Sequence, residues 1–260
     1  MISSVHNPTI KYVRNLQARS KERRTEKAFI VEGVRLLEEA RDSDWEMRLV
    51  LYSEEMSGRG MRLVETFQSQ GTKIAVVSSK VMRAVSDTET PQGILAVMGM
   101  RLLPISEILD FILVLDQLRD PGNLGAILRS AAAVSVQAVF LTPGTADQFS
   151  PKVMRGAMGA HFRVPVHNAD WEEIRSRLVD SGLRSYLAVV NRGQVYYQAD
   201  YQPPLALILG GEASGAGESA YQTAESLIHI PMPGGGDSLN VSVAAGILLF
   251  EVGRQRGMRS

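Results

Sequence analysis

Residues 226–256 read SLIHIPMPGGGDSLNVSVAAGILLFEVGRQR, a strand pattern, a glycine-rich loop and a helix pattern in succession. Leu227–Ile230 is a short apolar run typical of a buried strand, and the prolines and glycines after it end the strand. Ser238 has the chemistry of a helix N-cap. The apolar residues that follow recur at helical spacing and predict one buried helix face: Val241, Ala244, Ala245, Leu248 and Val252.

Such a strand, loop and helix leave backbone N–H and C=O groups exposed in a concave turn, where a polar small molecule can bind. A purely structural connection between strand and helix accounts for residues 226–256 equally well. This stretch alone therefore leaves both interpretations open.

The composition is that of a globular chain without cysteine. The shares of hydrophobic and charged residues, 45% and 22%, are those of a soluble globular protein. A length of 260 residues is enough for two ordinary domains or one large one. The absence of cysteine excludes disulfides and thiolate metal sites, and the histidines show no metal-ligand spacing, so we predict no metal site. No apolar run approaches the length of a membrane span, so we expect no membrane contact and a cytoplasmic location.

Positive charge is concentrated near the N-terminus although the whole chain has no net charge. Residues 1–35 contain eight lysines and arginines against three acids. The densest part of this segment contains the cations that we select as candidate RNA contacts: Arg19, Arg23, Arg24 and Lys27. A local excess of cations can bind phosphates, but a solvated surface helix is the common alternative.

Strand and helix patterns alternate along the chain in two blocks. In the first block, strands are predicted at 28–32, 47–52, 73–77 and 93–98, and helices at 8–20, 33–41, 60–70 and 81–85. This alternation predicts a smaller α/β domain over residues 1–100, and residues 101–109, which contain a proline, resemble a linker.

The second block predicts another α/β domain, over residues 110–260. Its predicted strands are at 112–115, 138–141, 161–166, 186–190, 205–209 and 227–230. Helices are predicted at 126–134, 151–158 and 171–180, and a last helix follows residue 238. The strands at 112–115 and 205–209 are wholly apolar, as is typical at the centre of a parallel sheet.

Three loops follow apolar strands of this second block. They are DQLRDPGNLGAILR (116–129), GGEASGAG (210–217) and IPMPGGGDSLN (230–240). Open α/β sheets bind ligands outside the carboxyl ends of their strands, so we expect the three loops to surround one site. Neither a P-loop nor G-x-G-x-x-G in its required context is present, which favours an adenosine-type cofactor held by glycine backbone.

The polar residues of these loops each have a structural explanation as well. Asp120 suits an N-cap with Pro121 as the first helical residue. Asn123 and Arg129 are six residues apart, about 240° around a regular helix, so they can meet only if the helix begins after Asn123. Glu212 can be an ordinary loop carboxylate at a helix N-terminus.

The three motifs NLGAILR (123–129), GGEASGAG (210–217) and IPMPGGGDSLNVSVA (230–244) resemble, in order and spacing, those of the SpoU/TrmH methyltransferases of the SPOUT superfamily. The resemblance implies an S-adenosylmethionine-dependent RNA ribose 2′-O-methyltransferase. It also implies a trefoil-knotted parallel-sheet domain and a homodimer formed through the knot region. FIVEGVRLLEEA (29–40) resembles the substrate-binding domain of many members, similar in fold to ribosomal proteins that bind bent RNA.

The family motifs also imply roles for individual residues. The residues expected in the S-adenosylmethionine pocket are Gly210, Gly211, Ile230, Met232 and Leu239. Arg129 matches the motif arginine assigned to the ribose hydroxyl, and the other catalytic positions are Asn123, Glu212, Ser238 and Asn240. We expect 23S ribosomal RNA as substrate, with tRNA as the alternative. A knotted methyltransferase acting on a base and an RNA-binding module without catalysis are the competing functions.

Overall fold

The computed structural model describes residues 1–212 and 215–257. Ala213 and Ser214 of the second motif, and the last three residues of the predicted second domain, lie outside the described residues. In chain order, the helices are α1 (Pro8–Ala18), α2 (Ser20–Glu26), α3 (Val34–Arg41), α4 (Gly58–Ser69), α5 (Ser79–Val85), α6 (Pro121–Ala133), α7 (Pro151–Ala157), α8 (Trp171–Asp180), α9 (Glu218–Thr223) and α10 (Val241–Gln255). The strands are β1 (Ala28–Glu32), β2 (Met47–Tyr52), β3 (Ile74–Val76), β4 (Ile94–Gly99), β5 (Phe111–Asp116), β6 (Ala138–Leu141), β7 (Val166–Asn168), β8 (Arg184–Ala188), β9 (Gln194–Val195), β10 (Leu205–Gly210) and β11 (Ser226–His229).

The chain forms two compact units, and the first contains a segment from the middle of the sequence. Unit 1 comprises residues 1–101 and 147–162, and unit 2 comprises residues 102–146 and 163–260. The limits predicted from sequence, 1–100 and 110–260, follow the alternation along the chain and do not separate residues 147–162 from their neighbours. They stay a prediction about domains.

Unit 1 is built on a mixed sheet with strand order β1-β4-β2-β3. β4 pairs antiparallel with β1 and with β2, and β2 pairs parallel with β3. One core cluster joins α1 and α5 to this sheet, with Ile10, Val13 and Leu16 of α1 fully buried. Their spacing of three residues places them on one face of α1, which explains why that helix packs against the sheet.

Residues 147–162 complete an aromatic cluster in unit 1. The ring centroid of Phe149 lies 5.0 Å from that of Phe29, and Phe162 and Trp45 meet edge to face at 5.3 Å. His161, fully buried beside Phe149, belongs to the same cluster, and burial lowers its pKa to about 4. His161 is therefore neutral at pH 7. The strand predicted at 161–166 is wrong: residues 160–162 form a 3-10 turn in this cluster, and the strand begins only at Val166.

Arg23 is a buried structural residue, which corrects its selection as an RNA contact. Only 4% of Arg23 is exposed. Its guanidinium donates to the carbonyls of Leu16 and Gln17 at 2.6 and 2.9 Å, and to Asp147 Oδ2 at 2.7 Å. These contacts satisfy carbonyls at the end of α1, where the helix predicted at 8–20 ends at Ala18. The second helix, α2, was not predicted.

Unit 2 is built on a parallel sheet with strand order β7-β6-β5-β10-β8-β11-β9. β10 pairs in parallel with β5 on one side and with β8 on the other. From β5 the chain proceeds outward through β6 and β7, whereas the later strands lie on the side of β10. The order thus reverses between β5 and β10, the position at which α/β sheets bind ligands. Among the described residues, no helix is long and apolar enough to cross a membrane.

Asp147→Ala tests the structural role of Arg23. Removing the carboxylate leaves a buried guanidinium without its anion, which costs about 3 kcal/mol of unfolding free energy. We expect this loss in urea denaturation followed by tryptophan fluorescence, to which Trp45 of the same unit contributes. Arg24→Ala, at the exposed neighbouring position, is the control and should change stability by less than about 0.5 kcal/mol. Equal stability of the two variants would contradict the assignment.

Candidate active site

The first loop begins at the end of β5 and forms the first turn of α6. Asp120 is the N-cap and accepts a hydrogen bond from Asn123 N at 2.8 Å, with Pro121 at the start of the helix. The structural explanation of Asp120 and Pro121 is therefore confirmed. Because α6 begins before Asn123, the condition under which Asn123 and Arg129 could share a face is not met.

A chain of side-chain hydrogen bonds joins all three loops. Asn123 Nδ2 donates to Glu212 Oε1 at 2.7 Å, and Asn240 Nδ2 donates to Asn123 Oδ1 at 3.1 Å. The amide of Asn123 thus uses its donor for the second loop and its acceptor for the third. The expectation that the loops surround one place in the fold is confirmed.

Asn240, and not Ser238, is the N-cap of α10. Its Oδ1 accepts hydrogen bonds from Ser242 N at 2.9 Å and from Ser242 Oγ at 2.6 Å. The helix begins at Val241, two residues later than an N-cap at Ser238 requires. The capping prediction for Ser238 is wrong because an asparagine closer to the helix has its side-chain oxygen within reach of the first turn.

A pocket of about 530 Å³ lies at the carboxyl ends of β8, β10 and β11. The residues proposed for the cofactor all line it: Gly210, Gly211, Ile230, Met232 and Leu239. Of the proposed catalytic residues, Glu212, Ser238 and Asn240 line it too. Most of the other residues in the wall are apolar, including Leu209, Ala244 and Leu248.

Close approach of backbones explains the two glycines at the end of β10. A Cβ atom on Gly210 would lie 2.2 Å from Ala216 N, and one on Gly211 would lie 2.5 Å from Gln117 O. Both distances are below any real contact of a Cβ atom, so a side chain at either position would displace backbone. Glycine is required there because the second loop folds back on itself and against the first loop.

Asp116 is a site residue that the sequence analysis did not select. It is fully buried, and its Oδ2 accepts from Gly217 N at 2.7 Å while its Oδ1 accepts from Thr142 Oγ1 at 2.8 Å. The carboxylate therefore attaches the second loop to the end of β5. An acid directly after the apolar run FILVL is the signal in the sequence, since a charge at the end of a buried strand needs partners.

Arg129 takes no part in the hydrogen-bonded chain. It is on the exposed side of α6 and does not line the pocket. Within residues 1–212 and 215–257 its side chain makes no hydrogen bond or ion pair. The structure therefore joins Asn123, Glu212 and Asn240, with Ser238 in the same pocket wall, and Arg129 makes no hydrogen bond with any of them.

The remaining cations selected near the N-terminus are all exposed. Arg19 lies between α1 and α2, Arg24 lies on α2, and Lys27 follows α2 with left-handed backbone geometry at φ 46°. All three belong to unit 1. Unlike Arg23, they present their charge to solvent.

Comparison with known proteins places both parts of the chain in described families. The SpoU rRNA Methylase family matches residues 110–250, and the MRM3-like substrate binding domain matches residues 7–96. The chain is 32% identical to the 23S rRNA (guanosine(2553)-2′-O)-methyltransferase RlmP of Bacillus subtilis, over 96% of this chain and 98% of the relative.

Solved structures agree with the sequence relatives. The AdoMet-bound rRNA methyltransferase from Sinorhizobium meliloti superposes with a TM-score of 0.88 at 29% identity, covering 100% of this chain and 98% of that one. The TrmH/SpoU tRNA modifying enzyme of A. aeolicus covers 57% of this chain and 76% of its own, at 30% identity and a TM-score of 0.51. The family resemblance found in the three motifs is confirmed, and the chain belongs to the SpoU rRNA Methylase family.

Proposed function

We propose that this protein methylates the 2′-hydroxyl of a guanosine ribose in large-subunit ribosomal RNA, using S-adenosylmethionine. The observation that carries the proposal is the hydrogen-bonded chain Glu212–Asn123–Asn240 at the wall of the pocket. The RlmP relative, matched over nearly the full length of both chains, supports ribosomal RNA and guanosine. The tRNA-modifying relative covers only 57% of the chain, which favours ribosomal RNA over tRNA.

The pocket suits the proposed cofactor in size and chemistry. A volume of about 530 Å³ lies within the range of small-molecule sites. Gly210 and Gly211 line the pocket without side chains, and Ile230, Met232 and Leu239 provide apolar surface for an adenosine. When bound, S-adenosylmethionine supplies a sulfonium methyl group that is open to attack by a nucleophile.

We assign positioning of the ribose to the residues of the three loops. Asn123 holds the carboxylate of Glu212 in the pocket wall, and Glu212 can accept a hydrogen bond from a ribose hydroxyl. Asn240 caps α10 and bonds Asn123, and Ser238 stands two residues before it, so both maintain the third loop. Together these residues would align the ribose hydroxyl with the methyl group of the cofactor. Such alignment of two bound reactants contributes much of the rate enhancement in a group transfer.

Arg129 is proposed to bind the reacting hydroxyl and the adjacent RNA phosphate. Its guanidinium does not lose its proton readily, so it acts by orienting the hydroxyl and stabilising negative charge on the oxygen, not as a base. Its exposure, without a partner in the described chain, leaves its donors available to RNA. Because Arg129 does not line the pocket, cofactor affinity should not depend on it.

A homodimer is proposed through the outer face of α10. Val243 is 51% exposed and Phe250 57% exposed, seven residues apart on the same side of the helix. Large apolar side chains exposed together on one helix face favour a protein partner. The trefoil knot and the cytoplasmic location stay predictions of the family resemblance and of the composition.

Methyl transfer from labelled S-adenosylmethionine to unmodified ribosomal RNA and tRNA transcripts tests the proposed function. We expect label in large-subunit ribosomal RNA, recovered as 2′-O-methylguanosine on nucleoside analysis. Label on a base would contradict the ribose chemistry, and label in tRNA alone would contradict the substrate. Cofactor binding without transfer to any RNA, including assembled ribosomal particles, would favour a non-catalytic module.

Arg129→Ala should lower kcat/KM at least tenfold, a loss of about 1.4 kcal/mol in transition-state stabilisation. Binding of S-adenosylhomocysteine, measured by calorimetry, should be unchanged because Arg129 is outside the pocket wall. Arg184→Ala, which removes an exposed arginine at the start of β8, is the control. If Arg129→Ala kept more than a tenth of the wild-type rate, the proposed action of Arg129 on the ribose hydroxyl would be wrong.

Replacing Arg19, Arg24 and Lys27 together with glutamine should weaken RNA binding and reduce its dependence on salt. Each lost phosphate contact lowers the slope of log K against log salt by about 0.7 for single strands. Fluorescence anisotropy at several salt concentrations measures both effects. Arg62→Gln with Lys73→Gln, at exposed positions elsewhere in unit 1, is the control. An unchanged affinity at low salt would exclude the segment from RNA contact.

Phe250→Glu should convert a dimer into a monomer, because it places a charge in the proposed apolar interface. Sedimentation velocity at micromolar protein measures the change. Val179→Glu is the matched control, since Val179 is 79% exposed on α8 of the same unit. A monomeric wild-type protein, or a dimer that survives Phe250→Glu, would contradict this interface.

A further inference from the structure

Arg192 is a cation in the pocket wall that the family motifs do not include. It belongs to the loop between β8 and β9, outside the three motif loops. Among the described residues that line the pocket, it is the one lysine or arginine, and Glu212 is the one acid. Arg192 is exposed and makes no hydrogen bond or ion pair with residues 1–212 or 215–257.

The backbone around Arg192 is held in an unusual conformation. Asn191 and Gly193, on either side of it, have φ of 52° and 78°, both in the left-handed region. Asparagine and glycine are the residues that tolerate this region best. The residues on both sides of Arg192 therefore suit the tight turn that contains it.

Contact with β11 fixes the same loop against the pocket. A Cβ on Gly193 would lie 2.1 Å from Leu227 O, so the loop backbone lies directly against β11. The next residue, Gln194, pairs with Ile228, which also lines the pocket. Arg192 is therefore attached to a wall of the pocket through backbone contacts on its C-terminal side.

We propose that Arg192 binds the carboxylate of the cofactor's amino-acid tail. This inference rests on the proposed function, because it takes S-adenosylmethionine as the ligand. The tail carries the cofactor's one negative group, and the described pocket wall offers no other lysine or arginine to pair with it. A guanidinium matches a carboxylate with two parallel hydrogen bonds, which gives both affinity and orientation.

The test compares two ligands that share an adenosine and a thioether. S-adenosylhomocysteine contains the amino-acid tail, and 5′-methylthioadenosine lacks it. For Arg192→Gln we expect about a tenfold rise in the Kd of S-adenosylhomocysteine, equal to about 1.4 kcal/mol, and less than a twofold change for 5′-methylthioadenosine. Arg192→Lys keeps the charge without the planar fork and should show an intermediate loss. Calorimetry measures all of these constants on the 260-residue chain.

The remaining outcomes separate this inference from its alternatives. If Arg192→Gln weakened the binding of both ligands equally, Arg192 would only shape the pocket wall. If the affinity for both ligands were unchanged and the KM for RNA were raised, Arg192 would bind an RNA phosphate. Either of these two results would overturn the proposal. Arg184→Gln is the control for a lost exposed arginine. A wild-type protein that binds neither ligand would overturn the proposed function itself, whereas a selective change in the variant bears on Arg192 alone.

Discussion

The parallel pairing of β5 with β10 is the constraint on which the site depends. The register runs from Leu205 opposite Phe111 to Gly210 opposite Asp116, so both strands end at the same level. Both are buried along nearly their whole length, and burial of continuous apolar strands is a large, non-directional stabilisation. Because the strands end together, the loops that follow them begin side by side.

Polar contacts at the carboxyl ends of these strands fix the positions of the three loops relative to one another. The buried carboxylate of Asp116 accepts from the backbone of the second loop, and the approach at Gly211 excludes any side chain. Asn123 then links the second and third loops with a single amide. Each group has a partner in another loop, so the position of Glu212 and the start of α10 depend on one another. Hydrogen bonds that tie such loops together reduce the conformational entropy that is lost when a ligand binds between them.

In unit 1, two neighbouring arginines have different environments, one buried and one exposed. Arg23 and Arg24 are adjacent, yet Arg23 is buried against the end of α1 and Asp147, whereas Arg24 is exposed. A buried guanidinium needs its hydrogen bonds satisfied, and an exposed one is available to a polyanion. Residues 147–162 supply Asp147 and the rings that pack on Phe29 and Trp45. The compact unit at the N-terminus is thus completed by a segment that is distant in sequence.

Local patterns in the sequence determined most of the elements of this protein. Strands at 28–32, 47–52 and 138–141 have the predicted bounds, since apolar runs and turn residues act over a few positions. The three glycine-containing motifs likewise predicted which loops meet and which family the chain belongs to. The short elements α2, α9 and β9 were missed, because elements of a few residues carry little periodicity.

Only the tertiary structure decided the environment of those side chains whose neighbours are far apart in the sequence. The roles of Arg23 and Asp116 follow from three-dimensional neighbours. The same is true of the place of Arg192 in the pocket wall, the choice of Asn240 over Ser238 as a cap, and the exposure of Arg129. A one-dimensional pattern records the type of each residue but not the atoms that surround it. For charged and polar groups the surroundings decide whether the group is structural or available to a ligand, because burial without a partner is costly.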